Sequence, residues 1–360
     1  MSGSAVPATP RLPLYAAVAY GLLILYASLY PFSGWRDTGA PLLAFLAAAW
    51  PHYFTGFDLV SNVAVYLPFG FFLAAVLQSR QPRWLAALLA TLSAVLLSAA
   101  METLQNYLPS RVPSNVDLAC NALGGLLGAI EGVRRAPTFL DGGKLHALRH
   151  RWVIGDAAGD AGLVLMGLWL LLQLNPEILL FGSGDLRHWL GLEEMLPFDV
   201  ERFSRIETLI TAANTLAAGL ITSCLLRRRS WQGALLILLA ALLIHTLAAA
   251  TILAPEQALR WITPGNTAGL ILGITLLIPL FALHPALRRA LAGSALLLAT
   301  VLVNLAPENP YLAEAAQIWR HGHFLNFNGL TRLASILWPF LALPWLLLPQ
   351  RDPWHPKTKT

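Results

Sequence analysis

The sequence predicts an all-α, polytopic integral membrane protein of about ten transmembrane helices, with both termini on the cytoplasmic side. Three observations carry this prediction. Only 12% of the 360 residues are charged, while 56% are hydrophobic and the mean hydropathy is +0.60. A soluble domain carries about 25% charged residues. The apolar residues gather in separate, continuous runs near bilayer-spanning length. The basic residues collect in alternate connections between those runs. Too little polar surface remains to cover a water-facing globule, and the chain lacks the low hydrophobicity and high net charge of a disordered protein.

Taken in order, the runs of spanning length are 14–31, 58–77, 84–104, 116–133, 160–181, 206–226, 231–253, 264–283, 288–305 and 330–349. A helix needs roughly 17–25 apolar residues to cross a bilayer. A β-barrel would show short alternating segments instead. The first run is long for the apolar core of a signal peptide. It ends in Ser28-Leu29-Tyr30-Pro31-Phe32 with no small-x-small cleavage site, so it reads as a helix.

Charge sets the expected orientation. With the N-terminus inside, the inner connections hold Arg80, Arg83, Arg134, Arg135, Lys144, Arg149, Arg151, Arg227, Arg228, Arg229, Arg288 and Arg289. Most acidic residues then fall outside or near the outer helix ends. The net charge of +5 is thus a topology signal, with some attraction to anionic headgroups. Nucleic acid is not an expected partner, because no soluble domain flanks the Arg227–Arg229 run. Cys120 and Cys224 lie inside apolar runs, which argues against a disulfide framework or a thiolate metal site.

The expected organisation is a four-helix membrane domain over 1–133, a basic cytoplasmic linker over 134–159, a six-helix membrane domain over 160–350 and a cytoplasmic tail over 351–360. The outer segments 182–205 and 306–329 have room for short interfacial or re-entrant helices. His321 and His323 in the latter lack a carboxylate at metal-site spacing. His245 stands alone in mid-span and reads as a hydrogen-bonded core residue. No metal or other cofactor is expected.

Ionisable residues inside a membrane are costly and mark functional candidates. The second span opens with Asp58-x-x-x-Asn62 and the fourth with Asp117-x-x-x-Asn121. Each pair is i,i+4, on one helix face about 6 Å apart along the axis. The third span runs the other way and ends with Glu102, Gln105 and Asn106 on one face, followed by Arg111. In the expected topology, Asp58, Asn62, Glu102, Gln105, Arg111, Asp117 and Asn121 share one depth at the outer leaflet. The set holds three carboxylates and one guanidinium. Arg111 is the natural partner for the carboxylates, and the surplus acid suits a cation, a proton or an amine. A buried network that only fixes helix order is the competing reading. Pro68 and Gly70 are expected to interrupt the second span, and Gly124-x-x-x-Gly128 to form a close-packing face.

This ordered set resembles the VanZ-like family: Asp58-x-x-x-Asn62, Pro68-Phe69-Gly70, Glu102-x-x-Gln105, Arg111, then Asp117-x-x-x-Asn121-x-x-Gly124-x-x-x-Gly128. The Ser28–Phe32 segment fits it too. The resemblance covers roughly residues 14–133. It implies a multi-pass protein of the bacterial plasma (inner) membrane and the cell envelope. The family's name comes from a protein associated with low-level resistance to the glycopeptide teicoplanin, which puts glycopeptide resistance or handling of a lipid-linked cell-wall precursor among the implied roles. The six further spans depart from short family members.

The second half carries echoes of the first. Leu174-Asn175-Pro176 ends the fifth span as Leu29-Tyr30-Pro31 ends the first, and Phe198-Asp199 stands before the sixth as Phe57-Asp58 opens the second. Arg260-x-x-x-x-x-Asn266-x-x-Gly269-x-x-x-Gly273 resembles the Arg111–Asp117 stretch and its later glycines. A degenerate copy and mere similarity of apolar helices both account for this.

The leading expectation is a non-enzymatic protein that binds or passes a lipid-linked or amine-bearing ligand, with the lipid bilayer as its other partner. An intramembrane enzyme would need a nucleophile beside Glu102, and Ser98 at i−4 is the residue available. A secondary transporter or flippase fits the span count, but its site would lie near the midplane.

Overall fold

A computed structural model describes residues 12–30, 32–39, 41–50, 56–139, 144–155, 157–193, 195–227, 230–307 and 325–348. Their secondary structure is helical, and the described residues form no β-strand. Among the described residues, eight helices are long and apolar enough to cross a membrane, and two shorter apolar helices stand at the fifth and eighth expected spans. The protein is therefore an all-α, multi-pass membrane protein. The chain divides into two compact units, Met1–His150 and Arg151–Thr360.

The first unit contains α1 (Leu12–Leu29), the single turn α2 (Ala44–Ala47), α3 (Gly56–Leu77), α4 (Arg83–Gln105) and α5 (Asn115–Phe139). In the stretch expected as a linker, α5 continues to Phe139 and α6 (Lys144–Trp152) follows. The seam of this unit is built from small residues. Gly124, Gly128 and Gly132 on α5 sit against the carbonyls of Val63, Leu67 and Phe71 on α3. A Cβ on Gly128 would lie 2.0 Å from the Leu67 oxygen, and one on Gly70 would lie 2.2 Å from the Gly125 oxygen. Backbones come this close only where side chains are missing. On α4 five of the six buried residues fall every fourth position, Ala86, Ala90, Ala94, Ser98 and Glu102, with Met101 beside the last. The stripe is apolar at one end and polar at the other, and its polar end meets α5. The expected interruption at Pro68 does not occur, because α3 runs unbroken through it. Proline removes one backbone donor, which packed neighbours in a membrane bundle tolerate.

The second unit contains α7 (Ala157–Leu172), α8 (Leu186–Leu190), α9 (Val200–Leu225), α10 (Ser230–Ala248), α11 (Pro264–Leu280), α12 (Pro285–Leu305) and α13 (Leu325–Leu347). A π turn, Ala249–Leu253, extends α10. Helix α9 is the hub, enclosed by α10, α11 and α12. Trp169 packs against Phe181 and Trp338, with ring centroids 5.3 and 6.3 Å away. The Trp338 and Trp345 indoles donate to the carbonyls of Leu165 and Ala158 at 2.9 and 2.7 Å, tying α13 to α7. Leu236, Leu243, Ile271 and Ile278 point outward, as lipid-facing residues should.

The fifth expected span ends early, at Leu172 rather than at residue 181. Pro176 cannot continue the helix. Asn175 accepts the backbone N–H of Glu177 at 2.9 Å and turns the chain. The following Leu180, Phe181, Gly182, Ser183 and Gly184 are buried without being helical.

Candidate functional site: the polar end of the α3–α4–α5 seam

Helix α5 begins with a cap assembled from two helices. The Ser114 hydroxyl accepts the Asp117 backbone N–H at 3.2 Å. In a capping box the residue at Asp117's position would reach back to the Ser114 N–H. Here Glu102 of α4 takes that N–H instead, through Oε2 at 2.8 Å. Asp117 is thereby left to accept the Asn62 amide of α3 at 2.8 Å. A carboxylate in the first turn also meets the positive end of the helix dipole.

One turn deeper, the Asn121 amide donates to the Ser98 hydroxyl at 2.9 Å. Ser98 is fully enclosed, and Glu102 is 4% exposed. The Tyr66 hydroxyl faces Ser98 and Glu102 without closing a well-directed hydrogen bond. Asn121 Oδ1 is also enclosed with no hydrogen-bond partner among the described residues. Buried polar atoms are rarely left so. The strip therefore ends in unused hydrogen-bonding capacity next to two carboxyl groups.

Gln105 and Arg111 are drawn elsewhere. Gln105 donates to the Ser28 carbonyl at 2.9 Å, and Arg111 Nη2 donates to those of Ala27 and Tyr30 at 3.2 and 2.7 Å. Both serve the C-terminal end of α1, whose last carbonyls lack helical partners. Arg111 remains close enough to Glu102 for their charges to interact. Burial pulls the Arg111 guanidinium below its ordinary value, against the raising influence of the Glu102 carboxylate.

Asp58 lies in the first turn of α3, and its side chain is outside the described residues. Asn62, Glu102, Asp117 and Asn121 meet in one hydrogen-bonded seam. Ser114 and Tyr66 belong to it and are absent from the motif set, although both had a sequence signal. Ser114 stands three residues before Asp117, the capping-box spacing. Tyr66 is i+4 from Asn62 and shares its face. Among the described residues no group of three or more His, Cys, Asp or Glu is placed to hold a metal. His321 and His323 lie outside the described residues.

The arrangement recurs between α9 and α11. Thr263 caps α11 by accepting the Asn266 N–H at 3.0 Å, and its hydroxyl donates to Glu207 at 2.7 Å. Thr211 donates to Asn266 Oδ1 at 2.7 Å, and this bond spans 55 residues, as Asn62 to Asp117 does. Gly273 abuts the Ala212 carbonyl as Gly124 abuts that of Val63. At one constant interval 62 becomes 211, 114 becomes 263, 117 becomes 266 and 124 becomes 273. That interval sets Glu207 opposite Asp58. The Phe198-Asp199 pairing expected from sequence is not the one the geometry follows, since Asp199 instead caps α9 by accepting the Arg202 N–H at 2.9 Å.

These features define a polytopic helical membrane protein with a buried polar seam at one end of its first unit. Residues 14–131, about a third of the chain, match the model of the VanZ/LLP1 family. The N-terminal unit therefore carries a VanZ-like domain, as its motifs indicated. No curated protein and no solved structure matches the chain.

Proposed function

We propose that this is a non-enzymatic protein of the bacterial inner membrane, with ten spans and both termini inside. Its VanZ-like unit binds an amine-bearing or lipid-linked envelope ligand, such as a cell-wall precursor, at the outer leaflet. The observation that carries the reading is the unused capacity of Asn121 Oδ1 and the Tyr66 hydroxyl beside Glu102 and Asp117. An ammonium group supplies N–H donors to the unpartnered Asn121 Oδ1 and Tyr66 oxygen, and its positive charge suits a seam where carboxylates outnumber the nearby Arg111 guanidinium. The enzyme alternative is disfavoured because Ser98 is fully enclosed and its oxygen already accepts from Asn121. We read α7, α9, α10 and α11 as a degenerate copy of the first unit, in which Asn266 and Thr211 keep the polarity without the charge.

The test is a deletion strain profiled against cell-wall antibiotics, teicoplanin included, and complemented with Glu102→Gln or Asp117→Asn. Both substitutions keep an acceptor in place and remove the charge. The proposal expects a deletion phenotype that wild type restores and the variants do not, at equal membrane levels. Full rescue by both variants would remove the charged seam from the function.

A further inference from the structure

The second unit carries a polar feature that neither the seam nor the echo of it uses. Between α7 and α9 the chain dips into the bundle as buried, non-helical backbone. Irregular backbone at membrane depth persists only where protein encloses it or where it lines a cavity. Asn304 of α12 clamps the segment. Its Oδ1 accepts the N–H groups of Leu186 and Arg187 at 2.9 and 2.8 Å, and its Nδ2 donates to the Gly184 carbonyl at 2.7 Å. The Gly184 N–H donates to the Ser335 carbonyl of α13 at 2.9 Å. The loop is thus fixed by its backbone, and one polar atom on each of two of its side chains is left over. Arg187 is 5% exposed, and its Nη1 is enclosed with no hydrogen-bond partner among the described residues. Ser183 is 1% exposed, and its hydroxyl is equally unpartnered. No ion pair among the described residues includes Arg187.

A guanidinium whose enclosed nitrogen has no acceptor among the described residues calls for one. Its planar fork suits the paired oxygens of a phosphate, and a serine hydroxyl adds one more donor. Just beyond it the chain exposes Leu190, Leu192 and Met195, apolar side chains suited to acyl chains. We propose that Arg187 and Ser183 form a phosphate-binding site on the inserted 173–187 segment, filled by a phospholipid headgroup or by free phosphate. The site is independent of the reading given to the first unit.

The experiment uses the full chain, delipidated in a neutral detergent. Binding is read by tryptophan fluorescence against inorganic phosphate, short-chain phosphatidylglycerol and a short-chain diacylglycerol that lacks phosphate. The proposal expects phosphatidylglycerol or phosphate to bind and diacylglycerol not to. Tighter binding of the lipid assigns the site to headgroups, and equal binding of phosphate assigns it to the free ion. Arg187→Gln should weaken binding at least about tenfold, in line with loss of a charge-assisted bidentate contact. Exposed Arg205→Gln should leave it unchanged. Ser183→Ala removes one buried atom and is the variant to use if Arg187→Gln does not fold; a severalfold loss is expected. Equal binding of diacylglycerol, or unchanged affinity in both Arg187→Gln and Ser183→Ala, would overturn the site.

Discussion

Replacing Gly128 by alanine tests the seam that holds the polar strip together. The new Cβ would meet the Leu67 oxygen at 2.0 Å, its carbonyl carbon at 2.8 Å and its α-carbon at 3.0 Å. All three are backbone atoms, so no side-chain rotation relieves the clash. A Cβ essentially never lies within 3.0 Å of such a neighbour, so α3 and α5 must part by about 1 Å. Forcing an extra methyl into a packed contact costs about 1–3 kcal/mol. For a unit of this size that lowers the thermal midpoint by roughly 3–10 °C. The same displacement pulls on the 2.8 Å bond between Asn62 and Asp117. The assay is thermal unfolding of the purified protein in detergent, followed by tryptophan fluorescence. Gly167→Ala is the internal control. Nothing lies within 4 Å of the added methyl, and alanine favours a helix over glycine by up to about 1 kcal/mol. A Gly128→Ala midpoint equal to or above that of Gly167→Ala would refute the close α3–α5 approach.

Two further outcomes follow from single bonds. Ser114→Ala removes the hydroxyl that caps α5 and should destabilise by about 1 kcal/mol, measurable in the same unfolding assay. Trp338→Phe keeps most of the buried ring but deletes the indole bond to Leu165; a loss of about 1–3 kcal/mol is expected, with hydrogen exchange rising first in α13 and α7.

The spans of the first unit were legible in the sequence because each is an unbroken apolar run bounded by charge or proline. The end of α7 was not. Ile178-Leu179-Leu180-Phe181 continues the apolar composition, so a run count cannot see the turn that Asn175 and Pro176 impose. Within the site, i,i+4 spacing sufficed to place Asn62 with its helix face and Asp117 at a helix start. It did not say which helix each polar group would serve. Gln105 lies on the same face of α4 as Glu102, yet it bonds to Ser28 on α1, while Glu102 bonds to Ser114 before α5. That choice depends on how the helices are arranged around one another, which spacing along one helix does not encode. The recurrence in α9 and α11 shows the same limit. Local dipeptide likeness favoured Phe198-Asp199, whereas the packed glycines and the 55-residue hydrogen bonds select Glu207.

On the proposed function, charge is kept in the α3–α4–α5 seam for a ligand and not for stability. The most direct measurement is the thermal midpoint of the purified Glu102→Gln/Asp117→Asn double variant, taken beside its complementation of the deletion strain. Functional sites commonly sacrifice stability, and removing their charges relieves it. The expected result is a midpoint equal to or above wild type together with lost complementation. A midpoint several degrees lower, with complementation falling only as the protein level falls, would contradict it.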